Sequence, residues 1–174
     1  LENVDAKYAY NISKALAEDD DLLSNELGYR SAGSDAEHKA ADYIEKAMGK
    51  IGLETEKIPV TVDKWQFNSA SLKIEGKVIQ MLPASYQLSG TSKEGIVTEM
   101  VDVGNGTAAD YEGKDVEGKI VLAGVDQGSG GWIEKYMEEA ALHKAAALVT
   151  YDNGGYGTYD DDQINVQDVC CDDL

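Results

Sequence analysis

Apolar positions along this chain change their spacing several times, and each change marks an element. Over residues 2–17, Val4, Tyr8, Ile12, Ala15 and Leu16 fall on one stripe at helical spacing, and the run Asp19-Asp20-Asp21 breaks it. A second helix is predicted to start after Ser34. That serine suits an N-cap, Glu37 three residues later completes a capping box, and Gly52 supplies the stop. Its buried face should carry Ala40, Ala41, Ile44, Ala47, Met48 and Ile51.

After Gly52 the period falls from 3.6 to 2. Ile58, Val60 and Val62 point one way and Thr61 and Asp63 the other, which predicts a strand, with Pro59 at its start or on a sheet edge. The stretch 65–83 predicts a hairpin: Leu72 and Ile74 precede a Glu75-Gly76 turn, and 78–82 follow it. Residues 95–104 alternate and predict another strand. The continuous apolar run "GKIVLAGV", 118–125, is that of a strand covered on both faces. A glycine-rich loop, 128–131, then leads to a helix carrying Trp132, Ile133, Tyr136, Met137, Ala140, Ala141 and Ala145, and "ALVTY", 147–151, is a second covered strand. Strand, crossover helix and strand make a βαβ unit, so parallel pairing is expected. From Asp152 onward the chain has seven acidic and no basic residues and predicts a loop at the lobe's edge.

Composition narrows the partners. At 174 residues the chain suffices for one sizeable domain or two small ones, and 43% hydrophobic with 28% charged residues is globular. Fifteen basic against 33 acidic residues leave a net charge of -18. This argues against nucleic acid and anionic membranes, both of which need a basic face. No apolar run approaches the roughly 18 residues of a membrane span. Leu1 opens the chain without a methionine or a signal-peptide core, so a processed, secreted or extracellular protein is expected. Cys170 and Cys171 are adjacent, a spacing that strains a disulfide and makes no zinc site without nearby histidines.

Catalytic candidates are few. His38 and Asp42 stand four apart on the second helix, where they could share a metal or simply face solvent, and His143 invites the same two readings. Around Gly124, Gly128, Gly130 and Gly131 a phosphate-cradling turn would need glycine at 133, where isoleucine stands, and no glycine-lysine-serine follows. Ser129 lacks the G-x-S-x-G frame and a placed histidine. Asp160, Asp161 and Asp162, with Asp126 and Asp152, could bind calcium, though the spaced D-x-D-x-D-G loop is missing. Asn11 and Asn105 head N-x-S/T sequons. No catalytic, cofactor-binding or metal-ligating residue is assigned, and no cofactor is expected in this chain.

One region resembles a known family. "RSAGSDAEHKAADYIEKAMGKIGLETE", 30–56, followed by "IPV", is similar to the first helix and strand of zinc-dependent aminopeptidases related to glutamate carboxypeptidase and transferrin receptor. Arg30, Gly33, Ser34, Ala40, Ala41, Tyr43, Ile44 and Gly52 fall in that pattern. Many members carry an inserted protease-associated domain after that strand. "VDVGNGTAADYEGKDVEGKIVLAGV", a helix and "AAALVTYDN" resemble it, with Ala146-Ala147 where glycine-alanine is usual. The resemblance implies a mixed α/β (α+β) fold: a helical N-terminal segment of a zinc-peptidase domain over 1–64, and a protease-associated, β-rich lobe with the βαβ unit over 65–174, incomplete at its C-terminus.

The family's zinc ligands follow the inserted domain, and none of their motif positions is found here. The chain is therefore expected to be the non-catalytic front of a secreted zinc-dependent exopeptidase. Its expected partners are the remainder of the peptidase domain and a peptide or protein substrate. A competing reading makes it the peptide-binding module of a receptor-like relative without catalysis. A third, a nucleotide-binding α/β protein, is disfavoured by the failed glycine counts.

Overall fold

The structure is a computed structural model that describes residues 5–23, 30–84, 90–126, 128 and 132–154. The chain divides into two compact units, Leu1–Asn68 and Ser69–Leu174. Its fold is mixed α/β.

In the first unit, helix α1 spans Ala6–Glu18, with the Asp5 carboxylate accepting from the Tyr8 amide at 2.9 Å as N-cap. A 3₁₀ turn, Asp20–Leu22, follows, so the aspartate run that breaks the helix also begins the next element. Arg30 fastens this corner by donating from Nη1 to the carbonyls of Leu16 and of Leu22, the latter at 3.1 Å. Those carbonyls are among the acceptors that helix ends leave without partners. Helix α2 spans Asp35–Lys50, and Ser34 caps it by accepting from the Glu37 amide at 3.1 Å. The Tyr8 hydroxyl of α1 donates to the Ala47 carbonyl of α2 at 3.3 Å.

The apolar face expected of α2 is covered only at its start. Ala36 and Ala40 are buried, whereas Ile44, Met48 and Ile51 are exposed. No strand forms between Leu53 and Ser69, contrary to the alternation at 58–62. A strand needs a ladder partner, and among the described residues none lies alongside; Ile58 and Val60 are 79% and 81% exposed.

The second unit contains both sheets. Strands β1, Ala70–Ile74, and β2, Lys77–Met81, form the predicted antiparallel hairpin, with Ile74 opposite Lys77. Glu75 and Gly76 both have positive φ, 49° and 84°, the two-residue geometry that suits the right-handed twist of paired strands. The other sheet has the order β3-β4-β5, all parallel: β3 is Met100–Asp102, β4 Ile120–Val125 and β5 Ala147–Asp152. Val121 pairs Leu148 and Leu122 pairs Val149, as the two apolar runs imply. Strand β3 is shorter than the alternation at 95–104 suggests, and Val97 is exposed.

Helix α3, Ala108–Tyr111, joins β3 to β4, and helix α4, Ile133–Leu142, joins β4 to β5. The core gathers Val103, Tyr111, Val116, Val121, Ala123, Val125, Ile133, Tyr136 and Ala140. Helix α4 ends in a Schellman arrangement, with the amides of Lys144 and Ala145 donating to Ala141 and Ala140 at 2.9 Å each. Its left-handed residue is Lys144, φ 55°. No helix among the described residues is long and apolar enough to cross a membrane.

Candidate functional site at the carboxyl edge of the parallel sheet

Loops leaving the carboxyl ends of parallel strands gather at one edge, the usual place for ligands in α/β sheets. Here that edge is made by the turn after β3, the start of the loop after β4 and the end of β5. Asp102, closing β3, accepts from the Gly104 amide at 2.7 Å and so shapes the first turn. The Gly104 carbonyl in turn accepts from the Gly124 amide at 2.7 Å, and Val125 accepts from the Asn153 amide at 2.9 Å.

Close packing explains the glycines. A Cβ on Gly106 would lie 2.7 Å from Tyr136 Cδ1 and 3.1 Å from Ala123 Cβ, at a backbone φ of 64°. A Cβ on Gly124 would meet the Tyr151 hydroxyl at 2.9 Å, and one on Gly154 would stand 3.2 Å from Asp126 Oδ1. The buried Tyr136 supports the edge from below, its hydroxyl accepting from the Asp126 amide at 3.2 Å. Across the top, Asn153 Nδ2 donates to Asn105 Oδ1 at 3.2 Å, and the Gly154 amide donates to Asp152 Oδ1 at 3.2 Å. The result is a small-residue rim of amide and carboxylate groups. It can offer hydrogen bonds to a polar ligand, and no nucleophile paired with a base stands on it among the described residues.

Beside the rim, Thr107 and Asp110 fix the start of α3. The Asp110 carboxylate accepts from the Thr107 amide at 3.0 Å and its hydroxyl at 2.7 Å. Those bonds, to the hydroxyl above all, hold the Asp110 carboxyl below its ordinary value of 3.8. Tyr111 is buried with its ring stacked on His143, centroids 4.5 Å apart and planes at 9°. Its hydroxyl has no hydrogen-bond partner among the described residues, and burial raises its pKa, with Glu139 adding to the effect.

The other sequence candidates separate. His38 is exposed and lies 3.5 Å from Glu37 rather than joining Asp42. Asp42 instead pairs with Lys57, which also reaches Glu45 at 3.2 Å; the bond to Lys57 lowers the Asp42 pKa and raises that of Lys57. His143 is 3.9 Å from Glu139 and occupied by its stack. Asn11 lies within α1 and Asn105 in an exposed turn. Asp126 and Asp152 both reach the carboxyl edge, at Gly154. Ser129, Gly130, Gly131, Asp160, Asp161, Asp162, Cys170 and Cys171 lie outside the described residues. Among the described residues no group of three or more His, Cys, Asp or Glu is placed to hold a metal ion.

Sequence reasoning gave Asn153 no role, and read Tyr136 and Tyr151 only as members of the helix and strand, because nothing in the local pattern shows that they meet at this edge. It also passed over the Thr107-x-x-Asp110 start of α3, for which a signal existed in the S/T-x-x-D/E spacing.

No family model matches the chain, and no curated protein matches it. Among solved structures, the aminopeptidase from Aneurinibacillus sp. strain AM-1 is similar at 27% sequence identity, with a TM-score of 0.56. The match covers 97% of this chain and 39% of that one, so the chain spans well under half of its solved relative. The chain is related to a peptidase.

Proposed function

We propose that this chain is the front, non-catalytic portion of a secreted zinc-dependent aminopeptidase. Residues 1–64 would contribute scaffold to the peptidase domain. Residues 65–174 would form a protease-associated lobe that borders the cleft and screens peptide substrates. The observation that carries this reading is the fold match, which spans nearly all of this chain and 39% of the aminopeptidase. The zinc and its ligands would come from the remainder of the enzyme, and such a metal would supply Lewis-acid activation of water there.

The exposed apolar row of the first unit supports the scaffold role. Ile58, Val60 and Val62 alternate along the stretch after α2 and are exposed, as for a strand whose sheet is supplied elsewhere. The rim of amides and carboxylates at the carboxyl edge supports a role in contacting polar peptide groups.

The test compares this chain with the same chain extended by whatever coding sequence follows residue 174, both assayed on aminoacyl-anilides. The expected result is chelator-sensitive activity in the extended protein and none in the chain alone. Zinc-dependent hydrolysis by the chain alone, purified free of contaminating peptidase, would contradict the reading, as would an inert extended protein.

A further inference from the structure

The carboxyl edge brings together two Asn-Gly dipeptides 48 residues apart in sequence, Asn105-Gly106 and Asn153-Gly154, joined by the 3.2 Å hydrogen bond between their side chains. Glycine leaves the peptide nitrogen after an asparagine without steric cover, which is what intramolecular attack on the side-chain amide requires. The two dipeptides differ in how the fold holds that nitrogen. Gly106 is buried, its amide donates to the Val103 carbonyl at 3.0 Å, and Tyr136 and Ala123 leave no room for a Cβ there. Gly154 is exposed, and its amide donates to the exposed Asp152 carboxylate at 3.2 Å.

We propose that Asn153 is a site of spontaneous deamidation, and that the fold makes it react ahead of Asn105. The Gly154 nitrogen, its proton lost to a solvent base, forms a bond to Asn153 Cγ. The Cγ–Nδ2 bond breaks and Nδ2 leaves as ammonia. Water then opens the cyclic imide to aspartate or isoaspartate, so one water is consumed, one ammonia released, and no electrons change hands. The product removes the donor that reaches Asn105 Oδ1 and sets a new carboxylate against that acceptor. The tie between the β3 turn and the end of β5 is thereby lost.

Peptide mapping of the whole chain, incubated in mildly alkaline buffer with and without denaturant, tests this by fragmentation that separates isoaspartate from aspartate. In the folded chain Asn153 should convert at least about 10-fold faster than Asn105, a ratio equivalent to about 1.4 kcal/mol. In denaturant the two rates should converge. Asn153→Gln, which keeps the donor but cyclises poorly, should remove the reaction at 153 and leave the rate at Asn105 unchanged. Equal rates in the folded chain, faster conversion at Asn105, or an inert Asn153 in a fold whose denatured form reacts would overturn the proposal.

Discussion

The parallel sheet and α4 of the unit Ser69–Leu174 close around a buried core, whereas the described part of the unit Leu1–Asn68 buries few apolar side chains; both units leave others exposed, among them Val97 and Leu142 in the one and Ile58 and Val60 in the other. In the lobe, Val121, Ala123 and Val125 on the central strand and Ile133, Tyr136 and Ala140 on α4 are all buried. Among the described residues of the first unit the buried apolar ones are Leu22, Ala36 and Ala40, while Ile44, Met48, Ile51, Leu53, Ile58, Val60 and Val62 are open. Both units have well-formed caps and turns, so local order does not separate them. What separates them is long-range closure: β4 has a partner strand on each edge, whereas α2 meets α1 and is covered only at its start, with no paired strand beside it among the described residues. Most helical stability in proteins comes from packing of the apolar face, so α2 depends on whatever covers Ile44, Met48 and Ile51.

Truncations in the two units give the largest contrast. Ile133→Ala, in the lobe's core, should cost about 3 kcal/mol in denaturant titration, within the range for emptying a buried aliphatic site. Met48→Ala, on the open face of α2, should cost no more than about 0.5 kcal/mol. Equal costs would mean that the face of α2 is covered in solution and would erase the distinction.

Ser34→Ala should cost about 1 kcal/mol, because the Glu37 amide loses its acceptor at a helix end. If the first unit unfolds apart from the lobe, that loss will show in the α2 signal and leave the lobe's transition in place. A loss shared by both would join them into one cooperative unit.

How much of this was legible in sequence follows the same division. The Glu75-Gly76 hairpin and the βαβ unit could be read because turn chemistry and unbroken apolar runs encode them locally. The strand at 58–62 was misread, because alternation states which faces a strand would have and cannot state that a partner is present. The buried face of α2 was overestimated for the same reason. The helix end at Lys144 was hidden because a lysine, not a glycine, takes the left-handed position. The carboxyl edge could not be found because its two asparagines meet only through the β3-β4-β5 order.

That helix end gives a smaller test. Lys144→Gly should stabilise the lobe by about 0.5–1 kcal/mol, since glycine enters the left-handed region without the Cβ penalty. Destabilisation would place the value of Lys144 in its side chain, which lies 3.5 Å from Glu117.

The smallest expected effect is in acid. Asp110 has a folded pKa below its unfolded value, so the stability it contributes is complete above that unfolded value, near 3.8, and is lost as pH falls through the lowered folded value. Thr107→Ala removes both the hydroxyl donor and part of that shift. It should therefore flatten the lobe's stability profile in this acid window and leave its pH dependence near neutrality unchanged. A variant whose profile keeps the same acid slope would show that Thr107 does not set the Asp110 titration.

Residue-by-residue hydrogen exchange on the whole chain tests the contrast between the units most directly, since protection reports local closure rather than local geometry. The amides of Ile120–Val125 and Ala147–Asp152 should be the slowest in the chain, with those of α2 exchanging well before them despite good helical hydrogen bonds. Protection in α2 equal to that of β4, or rapid exchange throughout the parallel sheet, would contradict it.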